Sequence, residues 1–188
     1  GTSGDLTWKL DSEGTLKISG TGEMAAVWDN YKEMITEVII EEGTTTIAHE
    51  AFADCTVLAT VTLPNSVISI GVEAFAGCTS LTTVSVPDSV TRIGTNAFEN
   101  CTALTSVSIG TGVNVIDSNI LLNCTSLKEI QVAESNLYYK DIDGVLFTKD
   151  ATELLIYPAG KQGEYSIPNG VISIATSSFT NCDGLIGI

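Results

Sequence analysis

Apolar residues return along this chain at a fixed interval. Cys55, Cys78, Cys101 and Cys124 are each 23 residues apart. Three positions before each Cys stands Phe52, Phe75, Phe98 and then Leu121, and eight before stands Ile47, Ile70, Ile93 and Ile116. Three positions after come Leu58, Leu81, Leu104 and Leu127, and six after come Val61, Val84, Val107 and Ile130. Matched columns at a period in the range of roughly 20–50 residues predict a stacked-repeat architecture. One such unit cannot close a core by itself, so each coil must be covered by the coils on either side of it.

Within a unit the period changes with position. In Leu81-x-x-Val84-x-Val86 the alternation of Val84 and Val86 sends Thr83 and Ser85 to the other face, which predicts a short strand. Neighbouring coils would stack these strands in parallel at roughly 4.8 Å. Pro64 and Pro87 follow directly and end the strand where a missing N–H does little harm. A second apolar pair, Val67 with Ile70 or Val90 with Ile93, marks the return path, and Gly71 and Gly94 predict a bend after it. Ala-Phe-x-x-Cys then places two large inward groups three apart, which suits one helical or 3₁₀ turn. An ordinary amphipathic helix bundle is excluded, because Pro, Gly and β-branched residues recur inside every would-be helix.

The segments outside the rhythm have their own patterns. In residues 1–35, Leu6, Trp8 and Leu10 alternate, a turn falls at Ser12–Gly14, and Leu16 and Ile18 alternate again: a β-hairpin. Both tryptophans lie here, so this segment is read as the N-terminal cap over the first coil. The competing reading is a sugar-stacking patch of Trp8, Trp28 and Tyr31; large aromatics are more often core. Residues 36–133 carry the repeats. Residues 134–164 break the rhythm with a tight-turn dipeptide at Asp143-Gly144, a second turn at Lys149–Ala151 and an extended Thr152–Pro158, and are read as a β-hairpin insertion. Tyr138, Tyr139, Tyr157 and Tyr165 gather in and around it, as core packing or as a contact surface. Residues 165–188 form a final, truncated repeat. It stops at the position equivalent to Val84 without a polar cap, so the expectation is a longer natural chain, or end-to-end association through this surface.

The motif LxxVxVPxSVxxIGxxAFxxC resembles the BspA-like leucine-rich repeat family, the Treponema pallidum type, over about residues 36–133 and again 165–188. The resemblance implies a leucine-rich-repeat solenoid, mainly β with short helical or 3₁₀ turns, in a bacterial protein that is secreted or anchored at the cell surface. It implies adhesion to a host matrix protein or another surface macromolecule. One departure concerns the Asn ladder that usually follows the leucine-rich strand: Ser66, Ser89 and Asn114 stand near that place instead.

Composition narrows the partners. The formal net charge is −15 with only eight Lys and Arg, which excludes a nucleic-acid partner or an anionic membrane surface. No run of 18 apolar residues occurs, so no membrane insertion is expected in this segment. The chain opens Gly1-Thr-Ser-Gly without a charged-then-apolar leader, and any secretory signal is expected to have been removed.

Candidate chemistry is sparse. The five cysteines share one column with parallel Cβ directions and an odd count, which predicts free, buried thiols. His49, the single histidine, sits at an outward position held elsewhere by Val72 and Thr95. Asp141-Ile-Asp143-Gly144 echoes a calcium loop, but Thr152 stands where its distal Glu belongs, so a turn is the better reading. Asn100-Cys-Thr102 and Asn123-Cys-Thr125 fit the glycosylation pattern as by-products of the repeat. No nucleophile elbow, phosphate loop or paired carboxylate is singled out, so neither enzyme activity nor a cofactor is expected.

That leaves the outward face of the strands: Thr60, Thr62, Thr83, Ser85, Ser106, Ser108, Glu129 and Gln131. Hydroxyls on a rigid lattice offer many weak hydrogen bonds to an extended protein or glycan at little ordering cost. Ser and Thr are also simply strand-compatible outward residues. A structural spacer that projects other domains is the alternative function. A glycan-active protein, which needs two facing carboxylates, is the third.

Overall fold

A computed structural model describes all of residues 1–188. The chain winds as a solenoid of short parallel strands with almost no helix. Its single helix is a 3₁₀ segment at Asp29–Met34. On the front, Thr15–Gly20, Glu37–Ile40 and Thr60–Thr62 pair in parallel, and Thr83–Val86, Ser106–Ile109 and Glu129–Val132 continue the stack. The Thr82 N–H donates to the Ala59 carbonyl and bridges the two groups. A parallel return sheet of Gly22–Glu23, Thr44–Ile47, Ser69–Ile70, Arg92–Ile93 and Val115–Ile116 lies opposite. Register shifts by one repeat per coil, with Thr83 opposite Ser106 and Ser106 opposite Glu129.

The repeat columns are the core. The Ile, Phe and Cys columns through the regular coils are closed to solvent, with the exception of the half-buried Ile116. Phe52, Phe75 and Phe98 stack with centroids 5.2 and 5.3 Å apart and planes within 16° and 5° of parallel. Rings parallel at that separation are slipped rather than eclipsed, the arrangement their quadrupoles favour. Trp28 extends the pile at 5.1 Å, and its Nε1 donates to the Ala51 carbonyl at 2.6 Å. Trp28 is therefore core. The N-terminal hairpin, Leu6–Leu10 against Thr15–Gly20, is built into the first coil, because its second strand also pairs in parallel with Glu37–Ile40. Trp8 packs on it edge-on, 6.4 Å from Trp28.

The Cys column has a second reason besides size. Three of the thiols donate to the carbonyl of the Phe one coil earlier: Cys78 to Phe52 and Cys101 to Phe75 at 3.2 Å, Cys124 to Phe98 at 3.1 Å. All five cysteines are free. Burial pushes the Cys55 and Cys101 thiols up to about 12 and the half-buried Cys182 to about 11.

The Ala-Phe-x-x-Cys segment departs from the expected helical turn. Ala51, Ala53 and Cys55 each donate three residues back, as in a 3₁₀ turn, but Glu50 and Asp54 take positive φ of 51° and 62° and break it. The alternate N–H groups of Glu50, Phe52 and Asp54 point instead at the carbonyls of Val72, Ala74 and Ala76 in the next coil, at 2.7–3.0 Å. The same triplet recurs from Glu73, Phe75 and Gly77, and from Asn96, Phe98 and Asn100. This ribbon is a third hydrogen-bonded side of the solenoid. Gly94 differs from the expected bend glycine too, since its φ is not positive. A Cβ there would lie 2.7 Å from the Gly71 carbonyl carbon and the Val72 nitrogen, so Gly94 is required by the close approach of two coils.

After Val132 the chain leaves the rhythm. Tyr139–Ile142, Val145–Thr148 and Glu153–Ile156 form an antiparallel meander whose last strand pairs in parallel with Ser173–Ile174, in a sheet of its own. Asp143 and Gly144 both take positive φ, 52° and 76°, in the tight turn their residue types predict. Asn136 anchors the departure. It is fully buried, donates from Nδ2 to the Gly110 and Val113 carbonyls at 2.9 and 3.0 Å, and accepts the Tyr138 and Tyr139 N–H groups at 2.8 and 2.9 Å. The final coil leaves Ile172, Ile174, Ile186 and Ile188 exposed.

Candidate binding face

Alternation along each front strand sends Val38, Val61, Val84, Val107 and Ile130 inward and aligns their neighbours outward. Two outward columns result. Glu37, Thr60, Thr83, Ser106 and Glu129 form one; Ile39, Thr62, Ser85, Ser108 and Gln131 form the other. All eight residues singled out from the sequence lie on this one surface. Thr60, Thr62, Thr83, Ser85, Glu129 and Gln131 are exposed, and Ser106 and Ser108 are half-exposed.

The hydroxyls are in part self-satisfied. Ser108 Oγ donates to Ser85 Oγ at 3.1 Å, and Gln131 Nε2 donates to Glu129 Oε1 at 3.2 Å. Those contacts fix rotamers before any ligand arrives. The face therefore presents a pre-organised array of hydrogen-bonding groups repeating at the strand spacing. None of the eight residues lines the cavity of about 640 Å³ around Leu121 and Tyr157. The far edge of the face is closed by the meander. The Gly144 carbonyl accepts the Ile130 N–H at 2.9 Å, and Asp141 Oδ1 accepts the Val132 N–H at 2.9 Å. Asp141 is thus committed to a backbone amide, which answers the calcium-loop reading of that stretch.

Elsewhere the other candidates separate. His49 is exposed on its own coil. Of the clustered tyrosines, Tyr157 is buried against Phe179 and Tyr165, and the Tyr139 hydroxyl accepts the Ile116 N–H at 3.2 Å. Only Tyr138 stands largely in solvent. The asparagines of the two glycosylation-like triplets prove to be structural. Asp54, Asn100, Asn123 and Asn181 occupy one positive-φ column, with Gly77 in the same place, and Asn123 Nδ2 donates to Asn100 Oδ1 at 2.8 Å. The Asn ladder missing behind the strand is present at the opposite corner. Residues that tolerate left-handed backbone carried that signal in the sequence.

A repeated path of front strand, return strand and turn ribbon, closed on stacked apolar columns, defines a leucine-rich-repeat solenoid. The profile of the BspA-type leucine-rich repeat region matches in six copies over residues 29–149, and the chain belongs to that family. Among solved structures, a leucine-rich repeat protein from Eubacterium ventriosum is similar with a TM-score of 0.76 and 28% identity. The match covers 97% of this chain and 57% of that one. The pneumococcal vaccine antigen PcpA matches at a TM-score of 0.63 and 19% identity over 96% of this chain and 62% of its own. The leucine-rich repeat protein of T. pallidum matches at 0.57 and 18% over 99% and 90%. This chain thus spans little more than half the length of the first of these relatives. No curated protein matches it. No helix is long and apolar enough to cross a membrane.

Proposed function

We propose that this chain is a non-catalytic binding module of a bacterial surface protein, and that its front face holds an extended segment of a protein ligand, a host matrix protein being the first candidate. The observation that carries the reading is the pair of outward columns: rigid, uncovered and hydroxyl-rich, with Ser85–Ser108 and Glu129–Gln131 already ordered. A vaccine antigen among the structural relatives fits a surface location. The acidity of the chain favours a ligand with basic groups beside its polar ones.

The test replaces Thr60, Thr83 and Ser106 together with Lys and measures binding to immobilised extracellular-matrix proteins. Three exposed cations along one column would block close approach and reverse the local charge, without touching the inward residues. The expected result is loss of binding by a variant with unchanged melting temperature. Retained binding would remove this face from consideration.

A further inference from the structure

The turn ribbon is interrupted at one place, and the interruption leaves a cleft. In a regular coil five positions separate the Ile column from the Phe column, as from Ile93 to Phe98. In the coil that closes the meander, Leu154 pairs with Ile174 in the Ile column. Tyr157 donates its N–H to the Ser178 carbonyl as Phe98 does to Ile120, so only three positions separate the columns. Two residues of the ribbon are missing. They are the counterparts of Thr95, whose carbonyl accepts the Glu73 N–H at 3.0 Å, and Asn96, whose N–H donates to the Ser118 carbonyl at 3.1 Å.

Their absence is written into both walls. Asn119, one repeat on from Asn96, makes no backbone hydrogen bond through its N–H, and neither do Leu121 and Asn123. On the opposite wall Thr176, the counterpart of Ser118, accepts none at its carbonyl. Between them lies a cavity of about 640 Å³ with Leu121, Leu155, Ile156 and Tyr157 against its floor and Ser118 and Thr176 at its rim. Outside its lining, Asn181 Nδ2 donates to Asn123 Oδ1 and ties the two flanking coils together.

We propose that this cleft binds an extended polypeptide segment, one of whose peptide groups replaces the missing pair. Its carbonyl accepts the Asn119 N–H and its N–H donates to the Thr176 carbonyl. The donor at Leu121 follows two residues on, a spacing that a polypeptide backbone matches and a lone acetamido group does not. An apolar side chain of the segment enters over Leu121 and Tyr157. The site is separate from the front face, so the two can be disabled independently.

The experiment uses the ¹⁵N-labelled chain titrated with the acetylated, amidated tetrapeptide Gly-Thr-Asn-Ala, which copies residues 94–97. Expected are saturable amide shifts confined to the cleft and a slowing of exchange at Asn119 and Leu121 of about tenfold. Thr176→Trp fills the mouth from an exposed position and should abolish the response; Ser118→Trp does so from the facing wall should the first variant fold poorly. The front-face Lys variant should keep it. No saturable response, shifts outside the cleft, a response surviving both Trp variants, or binding of N,N′-diacetylchitobiose in place of the peptide would each overturn the proposal.

Discussion

Phe75→Ala tests the stacked core most directly. Phe75 is fully buried and lies between Phe52 and Phe98, with ring centroids 5.2 and 5.3 Å away. Truncating a buried Phe costs about 3–5 kcal/mol through lost transfer energy and the cavity left behind. Here both flanking ring pairs are lost as well, each worth roughly 0.5–1.5 kcal/mol beyond area, which places the cost in the upper half of that range. For a chain of this size that is a drop in melting temperature of roughly 8–20 °C. Two controls separate stacking from simple volume. Phe75→Leu copies what Leu121 does naturally in the same column; it keeps most of the volume but loses both ring pairs, and should cost about 1–3 kcal/mol. Phe179→Ala removes a half-buried ring stacked on Tyr157 alone and should cost less than Phe75→Ala. Chemical denaturation followed by circular dichroism reads all three. A Phe75→Ala midpoint shift worth less than about 1 kcal/mol, or a Phe179→Ala variant hurt equally, would refute the idea that adjacent coils stabilise one another through this column.

Three further outcomes follow from the same geometry. The Cys55 and Cys101 thiols are raised from an ordinary 9.0 to about 12 by burial, so the folded state binds more protons than the unfolded one at alkaline pH. Stability should therefore be complete below pH 9 and fall as pH rises toward 12, and a thiol reagent at pH 8 should label Cys182 well before the other four. Asn136→Leu strands two carbonyls and two N–H groups in the interior and should cost about 3 kcal/mol or more, read by the same denaturation. Glu73→Asn should stabilise by roughly 0.5–1 kcal/mol, because Glu73 holds a φ of 56° in the column where Asn96 and Asn119 stand. An unchanged or lowered melting temperature would count against strain at that position.

What could be read from the residues alone was whatever repeats through apolar side chains. The Ile, Phe, Cys, Leu and Val columns identify the front strand, the return strand and the inward direction of each, so the eight outward residues of the face follow by alternation. What hydrogen-bonds through the main chain was harder to see. The Ala-Phe-x-x-Cys segment reads as one helical or 3₁₀ turn because two apolar groups three apart are all its pattern shows. The left-handed Glu50 and Glu73 are unexpected residue types for positive φ and give no cue. Asn100 and Asn123 do give one, yet the same triplets spell a modification signal, and the local match obscures the column. Gly71 and Gly94 mark a place without saying why. Bend and close approach ask for the same residue, and only the neighbouring coil decides between them.

The ribbon also explains why one irregular coil is tolerated. Its N–H groups point toward the following coil, as from Phe75 to Ala97, while on the return side Gly94 donates backward to Ile70. Each coil is therefore tied to both neighbours on separate sides, and a defect on one side leaves the other side's bonds in place. The coil of Leu154 and Tyr157 loses two ribbon residues but keeps its return pairing to Ser173–Ile174, while Gly163–Glu164 still pairs with Leu185–Gly187. The following coil stays attached, while the ribbon loses the bonds of donors on Asn119 and Leu121 facing an acceptor on Thr176. A uniform solenoid would present only repeating surfaces. Here a short coil supplies a concave place with unpaired backbone groups, and it does so through its length rather than through any distinctive side chain.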